Sequence, residues 1–189
     1  MNPGLNEQIV DLICEYEEII TRAQRLVGRT SDAAFVRPPD PHRWSPAECI
    51  AHLIIANEAY APHLRKALAE GKDLPPATGK YRRDMVGYLL SRRLEPTPRS
   101  ARVTPGHSDM VHLKPRAETL ASYVKSQREL QLLAWDAAGM DLERLKIASP
   151  FNPSVKYNVY SAFRVLGALG RRHLAQAEAA TGDSRAAMA

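Results

Sequence analysis

Four long segments of this chain repeat apolar side chains every three or four residues, and proline-rich stretches separate them. That spacing places the apolar side chains on one face of a helix. The predicted helices cover residues 5–27, Pro46 to about Glu70, Glu118–Trp135, and about Tyr157 to Thr181. No credible strand run lies between them, and SPFNPSVKY is interpreted as a loop because its two prolines disfavour regular structure. Four amphipathic helices with one long middle connection predict an all-α fold, a four-helix bundle.

The long middle connection runs from Lys72 to Lys114 and is rich in proline. One short amphipathic piece interrupts it and predicts a short extra helix. The apolar positions of that helix are Tyr81, Met85, Tyr88 and Leu89. The chain length fits one domain, predicted over residues 1–182, with 183–189 as a short flexible tail.

The clearest local signal is the start of the second helix, at Trp44-Ser45-Pro46-Ala47-Glu48-Cys49. Ser45 can cap the free amide groups of the first turn, and Pro46 suits the first helical position. Glu48, three residues after the cap, can bond back to it and complete a capping box. The sequence therefore predicts that the second helix begins at Pro46.

The net charge of +5, from 26 Lys+Arg against 21 Asp+Glu, is concentrated in one segment. Residues 80–102 contain seven basic and two acidic side chains, which accounts for the whole excess. We interpret this positive charge as a property of the connection's surface. It lies outside the four long helices, where we expect the functional residues. It could contact an acidic partner. A nucleic-acid role is disfavoured because no groove-reading motif or stacking aromatics accompany the charge.

Compartment and redox class follow from what the sequence lacks. The N-terminus has no basic segment followed by an apolar stretch, and no window approaches the ~20 apolar residues of a membrane span, so a cytoplasmic protein without a membrane partner is expected. Cys14 and Cys49 lie far apart, which provides neither a disulfide framework nor a thiolate zinc knuckle. Both are predicted to be small buried hydrophobic residues.

The histidines are the remaining candidates for chemistry, because common catalytic signatures are absent. Four of the six follow a proline or lie in proline-rich loops: His42, His63, His107 and His112. His52 and His173 instead project from helices among apolar or small neighbours. A lone histidine in that setting is usually a hydrogen-bonded core residue, although histidines on facing helices are also how bundle cores bind metals.

Two segments resemble the DinB/YfiT-like superfamily. RWSPAECIAHL matches the pattern W-S-x-x-E-x-x-x-H-L, and LGALGRRHLAQAE is similar to the closing pattern H-x-x-R-H-x-x-Q. The resemblance implies a four-helix bundle, commonly dimeric, in which three histidines hold a divalent metal such as nickel or zinc. Characterised relatives implied by it include thiol-dependent S-transferases and isomerases, whereas many members have no assigned activity.

Transferred to this chain, the resemblance places two ligands on His52 and His173, and the third on Leu169, which cannot ligate a metal. Gln176, three residues after His173, could orient that ring from a second shell. Glu48 lies one turn before His52 but is already explained by the capping box. His63 is about three turns, or ~16 Å, from His52 and is too distant to replace the missing ligand.

We therefore predict a DinB-like protein of unassigned activity with an incomplete metal site, either metal-free or weakly metal-binding. One alternative is a divalent-metal-dependent thiol S-transferase, or a related hydrolase or isomerase, acting on a thiol or another small molecule. The other is a non-catalytic homodimeric interaction module.

Overall fold

The computed structural model describes residues 7–96 and 114–182 of the chain. Six helices and two strands occur in these residues. In chain order they are α1 Glu7–Arg29, α2 Asp32–Val36, α3 Pro46–Glu70, α4 Met85–Leu94, α5 Arg116–Asp136, β1 Lys146–Ser149, β2 Asn152–Asn158 and α6 Val159–Ala180. The chain is mostly helical with one small antiparallel sheet, which confirms the predicted all-α class.

The four long helices build the core. Helices α1 and α3 each contact both α5 and α6, so every long helix packs against two others. The large fully buried side chains come from all four long helices and from the segments beside them, among them Tyr16, Tyr123, Phe163, Leu53, Phe35 and Tyr157. None of the helices in the described residues is long and apolar enough to cross a membrane.

An ion-pair network joins α1 to α6. The Glu15 carboxylate, only 15% exposed, binds Arg164 at 3.1 Å and also Arg171. It lies directly over Gly167, where an added Cβ would come within 2.2 Å of Glu15 Oε1. Because Gly167 has no side chain, the Glu15 carboxylate lies against α6 at this point, and its ion pairs with Arg164 and Arg171 join α1 to α6.

A β-hairpin precedes α6, which corrects the prediction that SPFNPSVKY is a loop and that no strand is present. Lys146 pairs with Asn158 and Ile147 with Tyr157, and the register shifts between Ala148 and Ser149. Both strands of a two-stranded sheet are edge strands, and an edge strand tolerates Pro153, which has no N–H to donate. The last helix consequently begins at Val159, two residues later than predicted, and Tyr157 belongs to β2.

Helix α4 confirms the predicted short helix but turns a different face inward. Gly87 and Ser91 are its buried residues, whereas Met85 and Leu89 are 78% and 59% exposed. An added Cβ at Gly87 would lie 2.1 Å from the Cβ of Ser161, so α4 packs onto α6 by backbone approach. Within α4, the predicted apolar side chains lie on the exposed face. Its buried face consists of small residues, which hydrophobic periodicity does not detect.

The Asp84 carboxylate fastens α4 to the junction of β2 and α6. It caps α4 by accepting from the Gly87 N–H at 2.9 Å, and it accepts from the backbone N–H of Asn158 at 2.7 Å. The Ser161 hydroxyl donates to it at 3.2 Å, and Lys146 lies 3.8 Å away. One side chain therefore ties together a helix cap, a strand end and the first turn of α6.

Other local predictions are confirmed or wrong for identifiable reasons. Ser45 and Glu48 form the predicted capping box, and Cys49 is buried. Cys14 is exposed, contrary to prediction, because it lies off the buried stripe of α1 that packs on α5 and α6. The connection after α1 also contains the short helix α2, which seals Phe35 into the core. The predicted tail, 183–189, lies outside the described residues.

Candidate functional site

A cleft of about 570 Å³ opens where α4, the hairpin and the second half of α6 meet α3. Most of its walls are apolar, and its polar groups include both informative histidines. The lining residues include Trp44, His52, Arg93, Leu169, Arg172 and His173. Clefts of this size and character take small molecules.

The structure brings His52 of α3 and His173 of α6 together. Their ring centroids are 4.7 Å apart with the planes tilted by 55°. The Trp44 ring packs against both, at 5.1 Å from the His52 centroid and stacked at 5.6 Å on His173. Trp44 precedes the capping box, so the same local signal that starts α3 also places this indole in the cleft.

His173 is held as a neutral imidazole. Burial is the main cause that lowers its pKa from 6.5 to about 3, and the charges of His52 and Arg172 act in the same direction. Gln176, 7% exposed and lining the same cleft, opposes that shift through a side-chain hydrogen bond. The Nδ1 atom of His173 is buried and makes no hydrogen bond within the described part of the chain. A buried nitrogen without a hydrogen bond costs free energy relative to the same atom in water.

The lowered pKa of His173 predicts an acid-sensitive contribution to stability. The folded protein keeps the imidazole neutral down to about pH 3, whereas in the unfolded chain it takes a proton near pH 6.5. The contribution is therefore complete above pH 6.5 and is lost as the pH falls toward 3. Between pH 6.5 and 5, urea unfolding should show a loss of about 1–2 kcal/mol that is absent in His173→Gln. His63→Gln, at an exposed position, is the matched control and should keep the wild-type slope.

Leu169 lines the cleft one helical turn before His173, at the position where the resemblance implies a third ligand. A catalytic zinc-type site needs three protein ligands plus an open position. The described residues contain no group of three or more His, Cys, Asp or Glu side chains that could hold a metal ion. His52 and His173 supply two donors, and the third position is hydrocarbon, so the donor set does not fit the three-histidine site that the resemblance implies.

The other candidates within residues 7–96 and 114–182 do not supply a third donor. The Glu48 carboxylate accepts from the backbone N–H and hydroxyl of Ser45 at 2.7 and 2.8 Å and does not line the cleft. His42 and His63 are exposed and lie away from it. His107 and His112 lie outside the described residues.

Arg93 shows that the basic segment is part of the site, which corrects the prediction that its charge is separate from the chemistry. It lines the cleft from α4, and Arg172 does so from α6. The sequence places residues 80–102 in a connection outside the four long helices, whereas the packing of α4 onto α6 brings Arg93 to the cleft. The useful signal was Gly87 and Ser91, since small residues four apart mark the side on which a helix approaches its neighbour. Arg99 and Arg102 lie outside the described residues.

A second polar group in the cleft wall comes from tyrosines. The Tyr60 hydroxyl lines the cleft and hydrogen-bonds to that of Tyr157, which β2 places behind it. Burial raises the pKa of both phenols, so both stay protonated at neutral pH. Sequence periodicity assigned neither residue to the site, because the hairpin that positions Tyr157 was not predicted.

These features define a mostly helical protein whose cleft combines a histidine pair, an indole and two arginines. The sequence model of the DinB superfamily matches residues 15–177, so the chain belongs to the DinB superfamily. No curated protein and no solved structure matches the chain.

Proposed function

We propose that this protein is a four-helix-bundle member of the DinB superfamily whose cleft binds a small organic molecule and is metal-free or only weakly metal-binding. Support for the bundle is the packing of α1 and α3 on both α5 and α6. The observation that carries the functional proposal is Leu169, a side chain without a lone pair in the cleft beside His52 and His173.

The surroundings of the histidine pair favour an organic ligand over a cation. Two imidazoles hold a divalent ion far less tightly than three, and Leu169 adds only desolvation. Arg93 and Arg172 line the same cleft and repel a cation, and no carboxylate is among the described lining residues. The Trp44 ring already packs on both imidazoles and offers an apolar surface to a ligand.

Without a metal, the two histidines can supply hydrogen bonds to a ligand. The neutral His173 can accept or donate through its ring nitrogens, and His52 lies close enough to contact the same ligand. Because the pKa of His173 is lowered to about 3, this side chain stays neutral near pH 7 and serves as a hydrogen-bonding group and not as a proton acceptor.

Metal analysis tests the proposal directly. Protein purified without a histidine tag should contain no stoichiometric nickel or zinc, and calorimetric back-titration with either ion should show no tight one-to-one binding. Removal of the tag matters because it binds the same ions. Stoichiometric metal that survives dialysis against a chelator would contradict the proposal and favour the metal-dependent thiol transferase instead.

The homodimer and the cytoplasmic location stay predictions. Sedimentation velocity at low and high salt, for wild type and for Arg82→Glu/Arg83→Glu, would measure the oligomeric state and its dependence on the basic segment. A monomer under all of these conditions would remove the support for an interaction module built on self-association.

A further inference from the structure

Two arginines from different helices share the cleft. Arg172 of α6 donates from Nη1 to the backbone carbonyl of Arg93 at 3.1 Å, near the end of α4. That bond satisfies a carbonyl in the last turn of α4, where no intrahelical partner is available. It also keeps Arg172 and Arg93 on the same side of the cleft, and both side chains line it.

Neither arginine has a carboxylate partner among the described residues, unlike the other two arginines of α6. Arg164 and Arg171, on the same helix as Arg172, are paired with Glu15, and Arg171 also binds Glu95. No Asp or Glu occurs among the described residues that line the cleft. Two guanidinium groups therefore face a cavity without a counter-charge, and low-dielectric walls strengthen their field.

The remaining walls of the cleft are apolar and favour a ligand with an apolar part. Leu90 and Leu94 come from α4, Val155 from the hairpin, and Val165 and Leu169 from α6. Phe151, half exposed at the turn of the hairpin, stands 6.1 Å from the Tyr60 ring at the edge of the same wall. An apolar wall with a cationic side is complementary to an amphipathic anion.

We propose that the cleft binds a carboxylate that carries an apolar body, with the carboxylate on Arg93 and Arg172 and the apolar part against Trp44 and the aliphatic wall. Guanidinium groups suit this role because they stay charged and match the two oxygens of a carboxylate. This inference rests on the proposed function, since it names the class of small molecule that the cleft would take.

Three probes with one body and different heads test the inference: 4-phenylbutanoate, 4-phenylbutanol and 4-phenylbutylamine, titrated calorimetrically into the full chain. The carboxylate should bind about tenfold tighter than the alcohol, and the amine more weakly than the alcohol. Raising the salt concentration should reduce the advantage of the carboxylate and leave the alcohol unchanged.

Variants of adjacent arginines locate the effect. Arg93→Gln should bring the carboxylate close to the affinity of the alcohol. Arg92→Gln removes the same charge one residue away, where the side chain bonds to the exposed Tyr88 hydroxyl outside the cleft, and should keep the difference. Leu169→Trp, which fills the cleft, should weaken all three probes, with circular dichroism confirming that it folds.

Equal binding of the three probes, or an equal effect of Arg92→Gln and Arg93→Gln, would overturn the inference. If the three probes bound equally well to wild type and Leu169→Trp weakened all of them, the cleft would still be a small-molecule site. Only the preference for a carboxylate would then be wrong. Absence of binding by all three probes would also overturn the inference, whereas the metal-free proposal is decided separately by metal analysis.

Discussion

Leu169→His should convert the cleft into a metal site and raise its affinity for nickel and zinc at least about a hundredfold. Residues four apart on a helix lie on one face, so the new imidazole would stand beside His173, whose ring is already 4.7 Å from His52. Loss of a partner outside the ligand shell costs about 10–100-fold in metal affinity, so a complete ligand should be worth at least the upper end of that range.

Calorimetry with nickel and zinc measures the gain, and a metal-dependent rise in melting temperature provides a second readout. Leu132→His makes the same substitution at a position on α5 that is 66% exposed, outside the cleft, and should change neither. Adding His52→Ala to Leu169→His should return the affinity to the wild-type level. If Leu169→His behaved like Leu132→His, the assignment of position 169 as the missing ligand would be wrong.

Asp84→Ala should lower the free energy of unfolding by about 2–4 kcal/mol. Loss of a helix cap costs about 1 kcal/mol, and loss of hydrogen bonds to a charged acceptor costs about 1.5–3 kcal/mol. Asp84 serves both roles, because it caps α4 and accepts from the Asn158 N–H and the Ser161 hydroxyl. The substitution leaves those donors without their acceptor at the contact between α4 and α6.

Urea denaturation monitored by circular dichroism measures the change. Asp73→Ala, at an exposed position, is the matched control and should fall within about 0.5 kcal/mol of wild type. Asp84→Asn keeps one acceptor oxygen and should lie between the two. An Asp84→Ala variant as stable as the control would mean that α4 is held by packing at Gly87 alone.

The features that the sequence predicted correctly are those that depend on residues close together along the chain. The capping box at Ser45 and Glu48 fixed the start of α3, and helical spacing located the other long helices. His52 and His173 were found because both interrupt apolar stripes. Each of these signals lies within a few residues, where helix geometry alone decides which side chains share a face.

The features that the sequence did not predict depend on contacts between segments that are distant along the chain. The inner face of α4 depends on how closely Gly87 approaches Ser161, a residue 74 positions later in the chain. Arg93 entered the cleft as a result of that packing, so no local pattern could assign it. The hairpin formed despite Pro153 because its strands have free edges, a property of the sheet and not of the segment.

The Glu15 carboxylate over Gly167 contacts a different face of α6 from the face that lines the cleft. A shift of α6 by one residue, or a rotation of about 100°, would take Arg164 and Arg171 away from Glu15 and bring a Cβ into its place. The ion pairs of Glu15 therefore set the rotation of α6 about its axis, and they lie on the side of the helix opposite to the residues that line the cleft. Side chains at 169, 172 and 173 can be exchanged while the helix keeps its alignment, so this architecture can change its chemistry by single substitutions.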